Sequence, residues 1–156
     1  MNYWLLKTEP SEFSIDDLQQ ISADYENWDG IRNYQARNIM RDDIKVGDKA
    51  FIYHSSCKDV GVAGVAEVVK AAFPDPLQFD AKSKYYDPKS KKEAPRWVCV
   101  GVKFVEKFDA IVPLKTIKET AVLKEMVLVN RGRLSVQPVR KKEWQTIVKL
   151  AKSQTK

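Results

Sequence analysis

VGVAGVAEVVK, residues 60–70, is a run of small and β-branched side chains broken by two glycines. Such a composition reads as a buried strand. Glycine inside such a strand marks a bulge or tight curvature, of the kind a small barrel needs. Upstream, VGDKAFIYH (46–54) opens with a Gly-Asp turn and continues as a strand, and YWLLK (3–7) is a short apolar strand that ends at the turn signal Pro10. Downstream, RWVCVGVKFVEKF (96–108) places Val98, Val100, Val102 and Phe104 on one face and Trp97, Cys99 and Lys103 on the other. LSVQPV (134–139) is a short closing strand.

Helices separate these strands. Ser14 is a candidate N-cap, Asp16 and Asp17 sit where the helix dipole favours acids, and Phe13 with Leu18 forms a staple, giving a short helix to Gln20. A second helix runs from Asn33 to Arg41 with Ala36, Ile39 and Met40 inward. One or two short helices are expected between Pro113 and Met126. RKKEWQTIVKLAK (140–152) is amphipathic, with Trp144, Ile147, Val148 and Ala151 on one face. Residues 74–95 are a polar loop rich in Pro, Asp and Lys. The expected fold is α+β, a curved mixed β-barrel flanked by short α-helices.

The 156 residues fit one domain over 1–156, large enough to bury a core without disulfides or metals. No apolar run approaches the roughly 20 residues that span a bilayer, and MNYWLLKTEP lacks the pattern of a signal peptide. A cytoplasmic monomer with no membrane association is expected. Cys57 and Cys99 lie in no ligand pattern, so free thiols are expected, with no metal and no cofactor. The net charge of +6 is unevenly spread: residues 1–80 hold 8 Lys+Arg against 14 Asp+Glu, and residues 81–156 hold 19 against 7. A one-sided basic field suits a polyanionic partner.

Catalytic patterns are sparse. HSSCKD (54–59) contains the lone His, but neighbours on an extended segment point apart, and neither a GxSxG elbow nor a phosphate-binding loop occurs. His54 is read as a neutral imidazole held to backbone. Lys7 and Glu9, at the end of the first strand, form either an acid/base pair or a salt bridge at the barrel mouth.

Aromatics beside amides are more telling. WDGIRNYQAR (28–37) is poor core material, because most of its side chains need hydrogen-bond partners. Trp28, Asn33 and Tyr34 together offer stacking faces and amide edges, the combination that holds an extruded base. In KSKYYDPKSKKEAPRW (82–97), Lys82, Lys84, Lys89, Lys91, Lys92 and Arg96 surround Tyr85 and Tyr86, a composition that tracks a phosphate backbone.

Taken in order, YWLLKTEPSEFSIDDL, WDGIRNYQARNIM, VGDKAFIYHSS, AFPDPLQFDAKSKYYDPKS, PRWVCVGVKF and RLSVQPV resemble the EVE domain family. That family lies in the PUA-like superfamily with the YTH and ASCH domains. The resemblance implies a PUA-like barrel that binds nucleic acid, DNA or RNA, carrying a modified base held at the barrel mouth. It also implies pocket roles for Trp28, Gly30, Arg32, Asn33, Tyr34, Tyr53, His54, Ser55, Lys7, Ser135 and Gln137. Gly30 would let backbone approach the base closely, and Arg133 would join the phosphate-binding surface. The expected function is that of a non-enzymatic reader. The rivals are an ASCH-like hydrolase using Lys7, Thr8 and Glu9, and an interaction module with a vestigial pocket.

Overall fold

The computed structural model describes residues 1–153. Its strands are β1 (Tyr3–Thr8), β2 (Glu26–Trp28), β3 (Lys49–His54), β4 (Gly61–Pro74), β5 (Val98–Pro113) and β6 (Val136–Val139). Its α-helices are α1 (Ile15–Gln20), α2 (Tyr34–Asp42), α3 (Leu114–Glu119), α4 (Val127–Asn130) and α5 (Lys141–Ser153). The strands form one sheet in the order β2-β5-β4-β3-β1-β6. β1 and β3 are parallel and every other pairing is antiparallel.

Alternation along the strands builds two cores, one on each face. Trp4, Leu6, Ala50 and Ile52 point to one cluster, which α1 and α2 cover with Ile15, Leu18, Ala36 and Met40. Leu5, Phe51 and Tyr53 point to the other, where α3 and α5 contribute Ile117, Ile147 and Ala151. There Trp144 stacks on Phe51 with ring centroids 3.8 Å apart and planes 13° apart. Fully burying side chains such as Leu5 and Ile52 is worth about 1.5–3 kcal/mol each.

Curvature arises where the glycines predict it. The β4–β5 register shifts between Val62 and Gly64, and a Cβ at Gly64 would stand 2.3 Å from the Glu106 carbonyl oxygen. β2 and β6 are the two edges of the open sheet, yet Trp28 and Val136 join the same apolar cluster. The sheet therefore rolls until its edges approach, and the fold is α+β with a barrel-like mixed sheet. β2 escapes sequence reading because three residues carry no measurable periodicity.

Caps set the helix starts. Ser14 accepts from the Asp17 amide while the Asp17 carboxylate accepts from the Ser14 amide, a reciprocal capping box. Asn33 Oδ1 accepts from the Ala36 amide and opens α2. The polar loop is also ordered. The buried Gln78 donates to the Asp75 and Trp97 carbonyls and accepts from the Ser90 hydroxyl and the Trp97 amide.

Candidate functional site

Where β1 and β3 end and the two sheet edges approach, the molecule holds a cavity of about 710 Å³. Trp28 from β2 forms an aromatic wall, with Phe13 edge-on to it at a centroid distance of 6.0 Å. Ile31 adds apolar surface. Lys7 and Thr8 enter from the end of β1, Ser55 and Ser56 from the turn after β3, and Gly132, Arg133 and Ser135 from the segment before β6. Lys84 and Tyr85 come from the ordered loop, and the carboxyl groups are Glu9, Glu12, Glu26 and Asp29.

Several contacts shape this cavity. Lys7 Nζ donates to the Gly132 carbonyl and sits 5.4 Å from the Tyr53 ring centroid. Burial holds the Lys7 amine below its ordinary range. Lys84 and Glu12 form an ion pair across the rim. Burial, with the nearby charges of Asp75 and Glu26, pushes the Asp29 carboxyl up to about 6. Burial also raises Glu26.

A buried bracket supports one wall. Asp75 accepts from the Gly30 amide at 2.8 Å, from Arg32 at 2.9 Å and from the Leu77 amide at 2.8 Å. Arg32 also donates twice to the Tyr85 carbonyl, at 3.1 and 2.8 Å. The Tyr85 ring thereby rests on Gly30, whose φ is +76° and where a Cβ would meet the ring at 3.0 Å. Gly30 thus makes room for Tyr85. The sequence reading gave that space to the base; the structure fills it with the Tyr85 ring, beside which Gly30 lines the cavity.

Of the expected pocket residues, Lys7, Trp28, Gly30, Ser55 and Ser135 line the cavity. The other six lie elsewhere, each for a physical reason. Arg32 is spent on Asp75 and Tyr85. Asn33 caps α2. Tyr34 stacks on Trp97 at 4.9 Å, outside the cavity. Tyr53 points into the second core. His54 Nε2 accepts from the Ile15 amide at 3.1 Å, the backbone role read for it from sequence. Gln137 is fully buried and donates to the Arg131 and Leu134 carbonyls, shaping the segment that carries Gly132 and Arg133.

Among the expected phosphate contacts, Lys84, Tyr85 and Arg133 reach the cavity. Lys82, Lys89, Lys91 and Lys92 are exposed on the loop away from its lining, and Arg96 pairs with Asp87 at 3.5 Å. Sequence reasoning missed Asp29 and Glu26, which were masked by their aromatic neighbours, and Asp75 and Gln78, which looked like ordinary loop residues. Both cysteines are free, and no cluster of metal-ligating residues occurs among the described residues. No helix among them is long and apolar enough to cross a membrane.

A curved mixed sheet flanked by short helices is the architecture that the resemblance implied. The EVE domain model matches residues 2–150, and the chain belongs to that family. Human thymocyte nuclear protein 1 is 40% identical over 96% of this chain and 73% of its own length. A hypothetical protein from Leishmania major superposes with a TM-score of 0.95 at 46% identity, covering 100% of this chain and 98% of that one. Human THYN1 in complex with 5-methylcytosine-containing DNA gives a TM-score of 0.91 at 40% identity, covering 97% and 98%.

Proposed function

We propose that this chain binds nucleic acid and holds one modified base in the cavity beside Trp28, without chemical turnover. The observation that supports this most is the cavity itself. Its volume of about 710 Å³ suits a flipped nucleotide, one wall is an indole, and hydroxyl and carboxyl groups stand within reach of a base edge. Lys84 and Arg133 supply cations for the flanking phosphates. The DNA complex of the human THYN1 protein supports the same reading.

The test is a binding screen of modified and unmodified bases in short DNA and RNA strands, at two salt concentrations. Tighter binding of one modified strand, weakened by salt, is the expected result. A folded protein that retains none of the strands overturns the reading.

A second reading rests on Lys7, Thr8 and Glu9 all lining the same cavity. An amine, a hydroxyl and a carboxyl at one place are the parts of a small hydrolase. Against it, the Thr8 hydroxyl donates its proton to the Phe13 carbonyl at 2.6 Å, so that proton is committed to the backbone and not to a base. Release of the acyl group from N-acylated bases by the purified protein would decide for the hydrolase.

A further inference from the structure

The cavity is sorted by charge. Of the four carboxyls that line it, Glu12 is paired with Lys84 and Glu9 is exposed to solvent at the end of β1, while Asp75 behind the wall is answered by Arg32. Asp29 is half-buried beside Trp28 and pairs with no cation among the described residues. Glu26 lines the cavity one short strand away, and it too has no ion-pair partner there. A phosphate driven against these two carboxyls would be repelled, whereas Lys84 and Arg133 at the rim attract one. A nucleotide therefore enters with its backbone toward the rim and its base edge toward Asp29.

Resting on the proposed binding of a base in this cavity, we propose that Asp29, backed by Glu26, is the specificity-determining residue and selects a base that carries an exocyclic amine. A carboxyl oxygen accepts from an amine N–H, as Asp and Glu do when they read the amino group of cytosine. While Asp29 is ionised, a carbonyl at the same position of the base sets oxygen against oxygen and offers no donor there. Sites built around a hydrogen-bonding edge reject analogues lacking that group far more strongly than apolar pockets reject a missing methyl.

Protonation adds a second contact. The groups facing Asp29 are Asp75, Glu26, Arg32 and the buried Cys99 thiol, and the balance of burial and carboxylate repulsion keeps its proton to about pH 6. In the acid form one oxygen still accepts from the amine while the hydroxyl donates to the adjacent ring nitrogen. Affinity for an amino-bearing base should therefore rise as pH falls toward that value.

The experiment compares 5-methylcytosine with thymine at one position of an otherwise identical strand. The two bases share the ring and the methyl group and differ in amine against carbonyl. The wild-type protein should prefer 5-methylcytosine by about tenfold or more. Asp29→Ala should bring the two within about twofold, and Asp29→Asn should remove the rise at low pH while keeping part of the preference, with melting curves confirming that both variants are folded. An Asp29→Ala protein that keeps the full preference, or a wild type that binds both strands equally, overturns this proposal and leaves base binding standing. A wild type that binds neither these strands nor any other in the screen overturns base binding, and with it this proposal.

Discussion

Arg32 and Asp75 form an ion pair at 2.9 Å in which the Asp75 side chain is wholly buried and the Arg32 side chain is 20% exposed. The pair joins the turn after β2 to the turn after β4, and through Arg32 it also holds the Tyr85 carbonyl. Removing one partner leaves the other charge buried without an answer, which costs about 3–5 kcal/mol. Asp75→Ala should lower the melting temperature by roughly 6–20 °C, taking 2–4 °C per kcal/mol for a chain of this size. Arg32→Met should cost less, because Asp75 keeps its two backbone donors. Thermal melts of the two variants check the order.

Trp28 serves the core and the cavity at once, since it is only 6% exposed yet forms a cavity wall. Trp28→Ala should lose about 3–5 kcal/mol of stability. Per folded molecule it should also lose about one to two orders of magnitude in affinity for oligonucleotide, the cost of a lost base stack. Trp28→Phe should restore most of the stability and part of the affinity. Unchanged affinity in folded Trp28→Ala would make the indole a plug of the barrel and nothing more.

Lys84 and Arg133 should matter more to binding than the distal loop lysines. Changing either to Ala should flatten the salt dependence by about one counterion and weaken all sequences alike. The same change at Lys89, Lys91 and Lys92 should do less per residue, because these side chains stand outside the cavity lining. Titrations at several salt concentrations separate the two groups.

His54 makes stability depend on pH in a definite direction. Burial holds its pKa below the ordinary value of 6.5, and its Nε2 must stay unprotonated to accept from the Ile15 amide. Below that ordinary value the unfolded chain binds a proton that the folded chain resists, so this contribution is present above about pH 6.5 and fades as pH falls. Asp29 acts oppositely, because its raised pKa favours the folded state at low pH and loses that effect as pH rises through about 6. His54→Gln keeps an acceptor near Nε2 without titrating. Its stability should therefore fall less than that of the wild type between about pH 7.5 and 5.5, as read by denaturant titration.

Gln78 is a single side chain that closes the ordered loop with four hydrogen bonds to Asp75, Ser90 and Trp97. Gln78→Leu leaves the Trp97 amide without its partner, and an orphaned buried donor costs about 1–3 kcal/mol. The loop amides of Trp97 and Asp87 should then exchange faster with solvent, while those of β1 and β3 stay protected.

Much of the fold was legible in the sequence because it depends on local rules. Alternation marked the face of β5 on which Val98, Val100, Val102 and Phe104 meet the first core, Ser14 and Asn33 marked helix starts, and Gly64 marked the curvature of β4, all without reference to distant residues. The cavity was legible only in part. Lys7, Trp28 and Ser135 could be assigned through motifs, but which neighbour faces the cavity is decided by tertiary structure. Asn33 turns its amide oxygen to its own helix, and Tyr53 falls on the opposite face of β3 from Ile52. The Asp29 carboxyl is raised first by its burial and then by the charge of Asp75, 46 positions away. Sequence determines what a residue can donate, accept or bury. Only the rolling of the sheet, which brings its two edges together, decides which of those groups meet.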